Sequence, residues 1–248
     1  MKAMILAAGL GTRLRPLTDE RPKALVEVAG RTLLEIAITR LEFFGIRDVI
    51  INVHHYADKI VDYLRVHKNF GMHIETSLED VLLDTGGGLK KAGWFFLNDC
   101  ATADEPFLLH NVDILSSIDL RRMVEAHNDR KALATLAVQR RDSSRLLIFD
   151  ENQRLSGRRA GRDQEPEIVC PSANFQPRAF CGVHVISPRL LRMMREDGVF
   201  SIIDCYLRLA ARGENILGFP ADEYYWRDVG KLEQVQQAAA DYEQKRFS

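Results

Sequence analysis

This 248-residue chain has neither long apolar runs nor an imbalance of charge. No stretch approaches the ~20 consecutive apolar residues of a membrane-spanning helix, and Met1-Lys-Ala lacks the layout of a secretory leader. With 34 Lys and Arg against 35 Asp and Glu, the formal net charge is -1. No bulk field therefore draws nucleic acid or a membrane surface, and any anion site has to be local. Cysteine is scarce: Cys100, Cys170, Cys181 and Cys205 are scattered without metal-type pair spacing, as expected of reduced thiols in a cytoplasmic protein. Two nucleotide signatures are also missing. Leu14 stands where a dinucleotide fingerprint opening with Gly9-x-Gly11 needs its third glycine, and no Gly-Lys-Ser/Thr follows to make a P-loop.

What is present, at 46% hydrophobic and 28% charged, is the composition of an ordinary globular protein. The length suits one domain over residues 1–248 with a sizeable core. Ala3 to Ala8 is a short apolar run ended by glycine, the pattern of a buried parallel strand. The loop after it, Gly9 to Lys23, is rich in Gly, Pro, Arg and Lys. Gly9 and Gly11 let backbone amides approach an anion closely. Arg13, Arg15, Arg21 and Lys23 add fixed positive charge, while Pro16 and Pro22 stiffen the segment. The pattern is that of a phosphate-binding loop.

Farther along, helical and strand patterns alternate. Thr32 to Phe44 reads as a helix closed by Gly45, Asp48 to Val53 as a strand, Asp58 to Val66 as a helix and Met72 to Ser77 as a strand. Leu82 to Lys91 reads as a glycine-rich turn running into a helix, and Pro106 to His110 as another strand. A helix at Ile118 to Asn128 precedes strands at Leu133 to Val138 and Arg145 to Asp150. Phe180 to Ile186 resumes a buried strand, followed by helices at Pro188 to Arg195 and Ser201 to Arg212, a strand at Asn215 to Phe219 and a polar helix from Leu232 to Arg246. The alternation predicts an α/β fold, Rossmann-like and doubly wound, with a mostly parallel sheet and helices on both faces. Residues 151–178 shift to Arg, Gly, Gln, Glu and Pro and read as an insertion or lid over the site. His54 and His55 end a strand pointing to opposite faces, which suits loop packing better than joint metal ligation. Asp113 stands just past a central strand, where a carboxylate is costly unless solvated, paired or bound to a cation.

Leu6-Ala-Ala-Gly-x-Gly-x-Arg13, followed by Pro16-Leu-Thr18 and Pro22-Lys23, resembles the signature of the sugar-phosphate nucleotidyltransferases. Leu82-Leu-Asp-Thr-Gly-Gly-Gly88, Asn111-Val-Asp113, Phe180-Cys-Gly182 and Trp226-Arg-Asp-Val-Gly230 resemble its later elements, so the resemblance spans the chain. It implies the nucleotide-diphospho-sugar transferase type of fold. It also implies a loop wrapped round a nucleoside triphosphate, with Leu6, Ala8, Gly9, Gly11 and Thr12 lining it and Arg13 and Lys23 on the phosphates. By the same resemblance Thr85, Gly86 and Gly87 contact the base, Asn111 and Gly182 the sugar side, and Asp113 and Asp228 bind catalytic magnesium (Mg2+), with Asp228 also at the substrate.

The resemblance therefore implies an enzyme joining a nucleoside triphosphate to a sugar 1-phosphate with release of pyrophosphate. No nucleic acid or membrane partner is expected, and the chain is a monomer or a homo-oligomer. The departures are Val112 for a more usual Gly, Lys231 for Thr, and the absence of Glu-Lys-Pro, whose nearest match is Gln164-Glu-Pro166. Arg158, Arg159, Arg162 and Arg178 are the candidates to replace that lysine. The Thr-Gly-Gly-Gly run, the short length and the expectation that no C-terminal β-helix or acyltransferase module is appended resemble the N-acetylmuramate-1-phosphate uridylyltransferase and mannose-1-phosphate guanylyltransferase branches. UTP with an N-acetylated amino-sugar phosphate is the expected pair, its pyrimidine read by backbone groups of Gly86 to Gly88. A guanylyltransferase would instead use Glu79 or Asp80 on the base. Two rival functions fit the same motifs: a phosphocholine cytidylyltransferase, with Tyr224, Tyr225 and Trp226 as a cation cage, and a non-catalytic nucleotide-sugar-binding regulator.

Overall fold

A computed structural model describes residues 1–98, 105–244 and 246–247. Cys100 lies outside the described residues; Cys170, Cys181 and Cys205 are free thiols. Strand β1 (Lys2–Leu6) opens the chain, and the cationic loop after it runs into a short hairpin, β2 (Glu27–Val28) and β3 (Arg31–Thr32). Thr32 caps α1 (Leu33–Phe43), its hydroxyl accepting from the Glu35 amide at 3.0 Å, and Gly45 leaves the helix at φ +79°. Next come β4 (Asp48–Val53), α2 (Ala57–Val66), β5 (His73–Leu78), α3 (Asp84–Lys91), the short α4 (Trp94–Leu97) and β6 (Phe107–Asn111). Strand β7 (Ile114–Ser116) leads to α5 (Leu120–Asp129), capped by Asp119, and then β8 (Ala134–Gln139), β9 (Leu146–Phe149), β10 (Leu155–Arg159) and β11 (Glu167–Ile168). The chain ends with β12 (Gln176–Ile186), α6 (Arg189–Met193), α7 (Ile202–Ala210), β13 (Ile216–Pro220), β14 (Trp226–Asp228) and α8 (Leu232–Glu243).

The predicted alternation is present, in a mixed sheet. β1 pairs in parallel with β4 and β6, and β4 with β5, giving the order β5-β4-β1-β6 for the first half. β12 then adds antiparallel to β6 and serves two neighbours, β8 (itself parallel to β13) and β9, which leads on to β10 and β11. Alternate residues of β1 feed cores on opposite faces. Ala3 and Ile5 pack with α1, α2, α5 and α8, and Met4 with α3, α4, α6 and α7. All three are fully buried, which explains why the strand reads as a continuous apolar run. The stretch 151–178 supplies β10 and β11, which extend the sheet past β9, and the first residues of β12 on the other side of β9.

One expectation is overturned. Gly86, Gly87 and Gly88 form the body of α3, not a turn. Helical glycine is unfavourable by about 1 kcal/mol against alanine, so another constraint holds the glycines there. A Cβ at Gly87 would come within 2.3 Å of the Gly198 carbonyl oxygen, and one at Gly86 within 2.3 Å of the Phe200 ring. The Gly86 amide donates to the Phe200 carbonyl at 2.9 Å, the Phe200 amide to Leu83 at 3.2 Å, and the Ile202 amide to Thr85 Oγ1 at 3.0 Å. The bare face of α3 therefore seats the segment before α7. Gly87→Ala is expected to lower stability by about 1–3 kcal/mol through overpacking against backbone, although helix propensity alone predicts a gain. A thermal melt checks the sign, and a raised melting temperature would refute this account of the glycines.

Candidate active site

Four loops converge where the parallel strands end, joined by buried hydrogen bonds. The Ala7 amide donates to Asn52 Oδ1 at 2.7 Å, Asn52 Nδ2 donates to Glu79 Oε1 at 2.7 Å, and the Leu83 amide donates to Glu79 Oε2 at 3.0 Å. Asn52 and Glu79 are 3% and 1% exposed, tolerable because both are engaged. His54 Nδ1 lies 2.7 Å from the Glu79 carbonyl oxygen, so it serves loop packing. Between these loops opens a cleft of about 370 Å³. Its walls include Leu6, Ala8, Gly9 and Lys23 on one side and Leu82, Thr85 and Val199 on the other, with Asn111 and Asp113 beyond.

Asp113 and Asp228 meet through a two-stranded ribbon. β7 and β14 pair with Asp228 opposite Ile114, and the Val229 amide donates to the Asp113 carbonyl at 2.8 Å. Lys23 Nζ pairs with Asp113 Oδ2. Asp228 Oδ1 is enclosed and accepts no hydrogen bond. Burial first, and the facing Asp113 second, push the Asp228 carboxyl above its ordinary range, while Lys23, Arg13 and Arg141 pull it back. Arg13 Nη2 and Asp228 Oδ1 lie 3.0 and 2.9 Å from where Gly230 would carry a Cβ, so the bare backbone of Gly230 leaves room for both. Arg141 lies 3.7 Å over the Trp226 ring and donates to the Phe180 carbonyl at 2.7 Å. The donor set fits magnesium, which takes one or two carboxylates and completes its shell with phosphate oxygens and water. No described His, Cys, Asp or Glu joins the two aspartates as a third ligand.

A second cavity, of about 500 Å³, shares Asp84, Thr85 and Asn111 with the first. Arg145, Arg158 and Arg159 line it, with Phe180, His184 and Ile202 among its flatter walls. Asn111 Oδ1, between the cavities, has no hydrogen-bond partner.

The structure brings together Leu6, Ala8, Gly9, Lys23, Thr85, Asn111 and Asp113 in one cleft, with Asp228 and Arg13 beside it. Gly11 and Thr12 sit in the turn that carries Arg13, outside the cleft walls. Gly11 takes φ +65° and packs against Thr18 and Lys23, while Leu14, at the missing glycine, is fully buried as an anchor of the loop. Three expectations need correction. Gly86 and Gly87 are buried under the segment before α7 and are not among the residues that line the cleft, where Thr85 is the member of their run that reaches it. Gly182 stands behind Asn111, not in the sugar cavity. At φ +72°, its missing Cβ leaves space for Asn111 Nδ2 and Ile114 Cγ1, which would lie 3.0 and 2.7 Å away. Asp80 is exposed and faces Lys91.

Of the four candidate arginines, Arg162 pairs with Asp142 at the surface. Arg178 donates to Gln176 at 2.8 Å, and Arg158 is held by Glu167 and Asp204. Arg159 lines the second cavity with no described ion-pair partner. Asn52, Arg141 and Arg145 escaped the sequence reading. A lone amide inside the apolar run Val49 to Val53 was the available signal for Asn52; Arg141 and Arg145 stand in no motif.

A family model described as nucleotidyl transferase matches residues 2–147. The chain is 32% identical over 235 residues to N-acetylmuramate alpha-1-phosphate uridylyltransferase of Caulobacter vibrioides, covering 92% of this chain and 91% of that one. It is 34% identical over 232 residues to a mannose-1-phosphate guanyltransferase of Aspergillus fumigatus, covering 93% of this chain but only 61% of that longer protein. The fold matches UDP-glucose pyrophosphorylase complexed with UDP-glucose at a TM-score of 0.76, with 18% identity and 98% of each chain covered. This protein belongs to the sugar-1-phosphate nucleotidyltransferase family.

Proposed function

We propose that this protein joins UTP to an N-acetylated amino-sugar 1-phosphate, giving a UDP-sugar and pyrophosphate. The observation that carries this reading is the pair of adjoining cavities, with Lys23, Asp113, Asp228 and Arg13 grouped at the first. The base and ribose occupy the cleft between Gly9, Leu82 and Val199, and the sugar phosphate enters from the second cavity past Thr85 and Asn111. One phosphate oxygen of the sugar forms the new bond to the α-phosphorus while the α–β bridging bond breaks, its electron pair leaving on pyrophosphate. The attacking oxygen is already ionised at neutral pH, so no general base is required. Catalysis is positioning and charge neutralisation. Lys23 lines the cleft beside Asp113 and steadies the α-phosphate, and Arg13 meets charge developing on pyrophosphate. Asp113 and Asp228 would hold magnesium, which when bound neutralises phosphate oxygens.

Uridylyl transfer is supported by the Caulobacter relative, guanylyl transfer by the Aspergillus one. Glu79 lines the cleft, yet each of its oxygens already accepts a bond, from Asn52 and from Leu83. Uracil needs one acceptor for its N3–H, whereas guanine needs two side by side.

Two outcomes are expected. Asp228→Asn relieves carboxylate repulsion while removing a ligand, so it should melt no lower than wild type yet release pyrophosphate about 100-fold more slowly or worse. Near-normal turnover at saturating magnesium would overturn the two-aspartate assignment. In competition among the four nucleoside triphosphates, UTP should be consumed first. Preferential consumption of GTP, followed by chromatography of the nucleotide-sugar products, would establish guanylyl transfer instead.

A further inference from the structure

The third glycine of α3 answers to a different neighbour from the other two. A Cβ at Gly88 would lie 2.6 Å from Glu79 Oε1 and 2.9 Å from Asn52 Nδ2, so its bare backbone makes room for that pair. Both side chains are almost fully enclosed, yet each ends on a main-chain amide of the first cleft. Asn52 Oδ1 accepts from Ala7, the residue before Ala8 and Gly9 in the cleft lining. Glu79 Oε2 accepts from Leu83, whose neighbour Leu82 lines the opposite wall. Asn52 Nδ2 closes the relay on Glu79 Oε1 at 2.7 Å. Glu79 is also held by its own backbone, its amide donating to the Val53 carbonyl at 2.8 Å and its carbonyl facing His54 Nδ1.

The sense of each bond follows from the groups themselves. A main-chain amide only donates, so Asn52 must turn its oxygen to Ala7 and present its nitrogen to the carboxylate. The carboxylate then has one oxygen for Asn52 and the other for Leu83. The relay runs across segments 45 and 27 residues apart without a mismatched contact.

We propose that Asn52 is a positioning residue for the nucleotide: through Ala7 and Glu79 it holds the phosphate loop in register with the wall from Leu82 to Thr85. The inference rests on the nucleotidyl-transfer reading and deepens it. In that reading the phosphates meet the loop from Gly9 to Lys23 and the base meets Leu82 and Val199, so the relay spans the two ends of one ligand. A ligand that reaches both ends gains from their fixed spacing, whereas a ligand at one end does not.

An exchange of the two side chains tests it. Asn52→Asp sets two carboxylates against each other, and Glu79→Gln leaves two donors facing at one end of the side chain or the other. Made together, the two substitutions rebuild the relay in reverse, aspartate accepting from Ala7 and from glutamine, whose oxygen accepts from Leu83. Asn52→Ala removes the bridge without adding charge. Calorimetry measures binding of UTP, GTP, UMP, GMP and tripolyphosphate to wild type and each variant, and melting curves establish which variants fold. Each folded single variant should bind the preferred triphosphate about 30-fold more weakly, but its monophosphate and tripolyphosphate at most about threefold more weakly. The double exchange should return triphosphate affinity to within about threefold of wild type. In turnover the loss should fall on KM for the triphosphate, with KM for the sugar 1-phosphate little changed. Equal losses across all three kinds of ligand, unimpaired triphosphate binding in the single variants, or a folded double exchange without recovery overturns the positioning role while nucleotidyl transfer stands. A wild type that binds neither UTP nor GTP sinks the nucleotidyl-transfer reading instead, and this inference with it.

Discussion

Two carboxylates held side by side under partial burial form the constraint on which the site depends. The β7–β14 ribbon sets Asp113 and Asp228 together through a backbone bond from Val229, and their repulsion joins burial in raising the Asp228 carboxyl. Such a pair is unfavourable without cations. Lys23 answers Asp113 directly, Arg13 crosses the bare backbone of Gly230 and Arg141 stacks on Trp226, so the loop after β1 and the segment after β8 converge on one charge problem. Strain of this kind is kept where function requires it.

The rest of the fold holds that arrangement at a fixed distance from two cavities. Asn52 and Glu79 join the chain after β1, at the end of β4 and after β5 through buried bonds, which sets the width of the first cleft. On its far side Gly86 and Gly87 of α3 seat the segment before α7, which brings Val199 to one cavity and Ser201 and Ile202 to the other. Strand β10 carries Arg158 and Arg159 to the second cavity and Arg145 stands just before β9, with Arg158 committed to Glu167 of β11 and to Asp204 as a structural clamp.

Much of this was legible in the chain. The apolar run after Met1, the helix between Thr32 and Gly45 and the strand before Asp113 each carry a local signal (burial, capping or termination) that tertiary contacts reinforce. The cationic loop was legible for the same reason, because glycine, proline and clustered charges act through their own backbone and side chains. The short strands β2, β3, β7 and β14 have no periodicity to betray them, being two or three residues long.

The sequence by itself determined the family, the sheet's parallel half and the motif residues that gather at the first cleft, since these rest on ordered motifs and local patterns. The tertiary structure alone decided what faces what. It turned Gly86 and Gly87 inward to pack against Gly198 and Phe200, put Gly182 behind Asn111, and left Arg159 unpaired in a cavity while its neighbour Arg158 was neutralised. A glycine or an arginine looks the same in sequence whether it touches ligand or protein. Only the position of its neighbours, set by long-range pairing of strands and helices, makes the distinction.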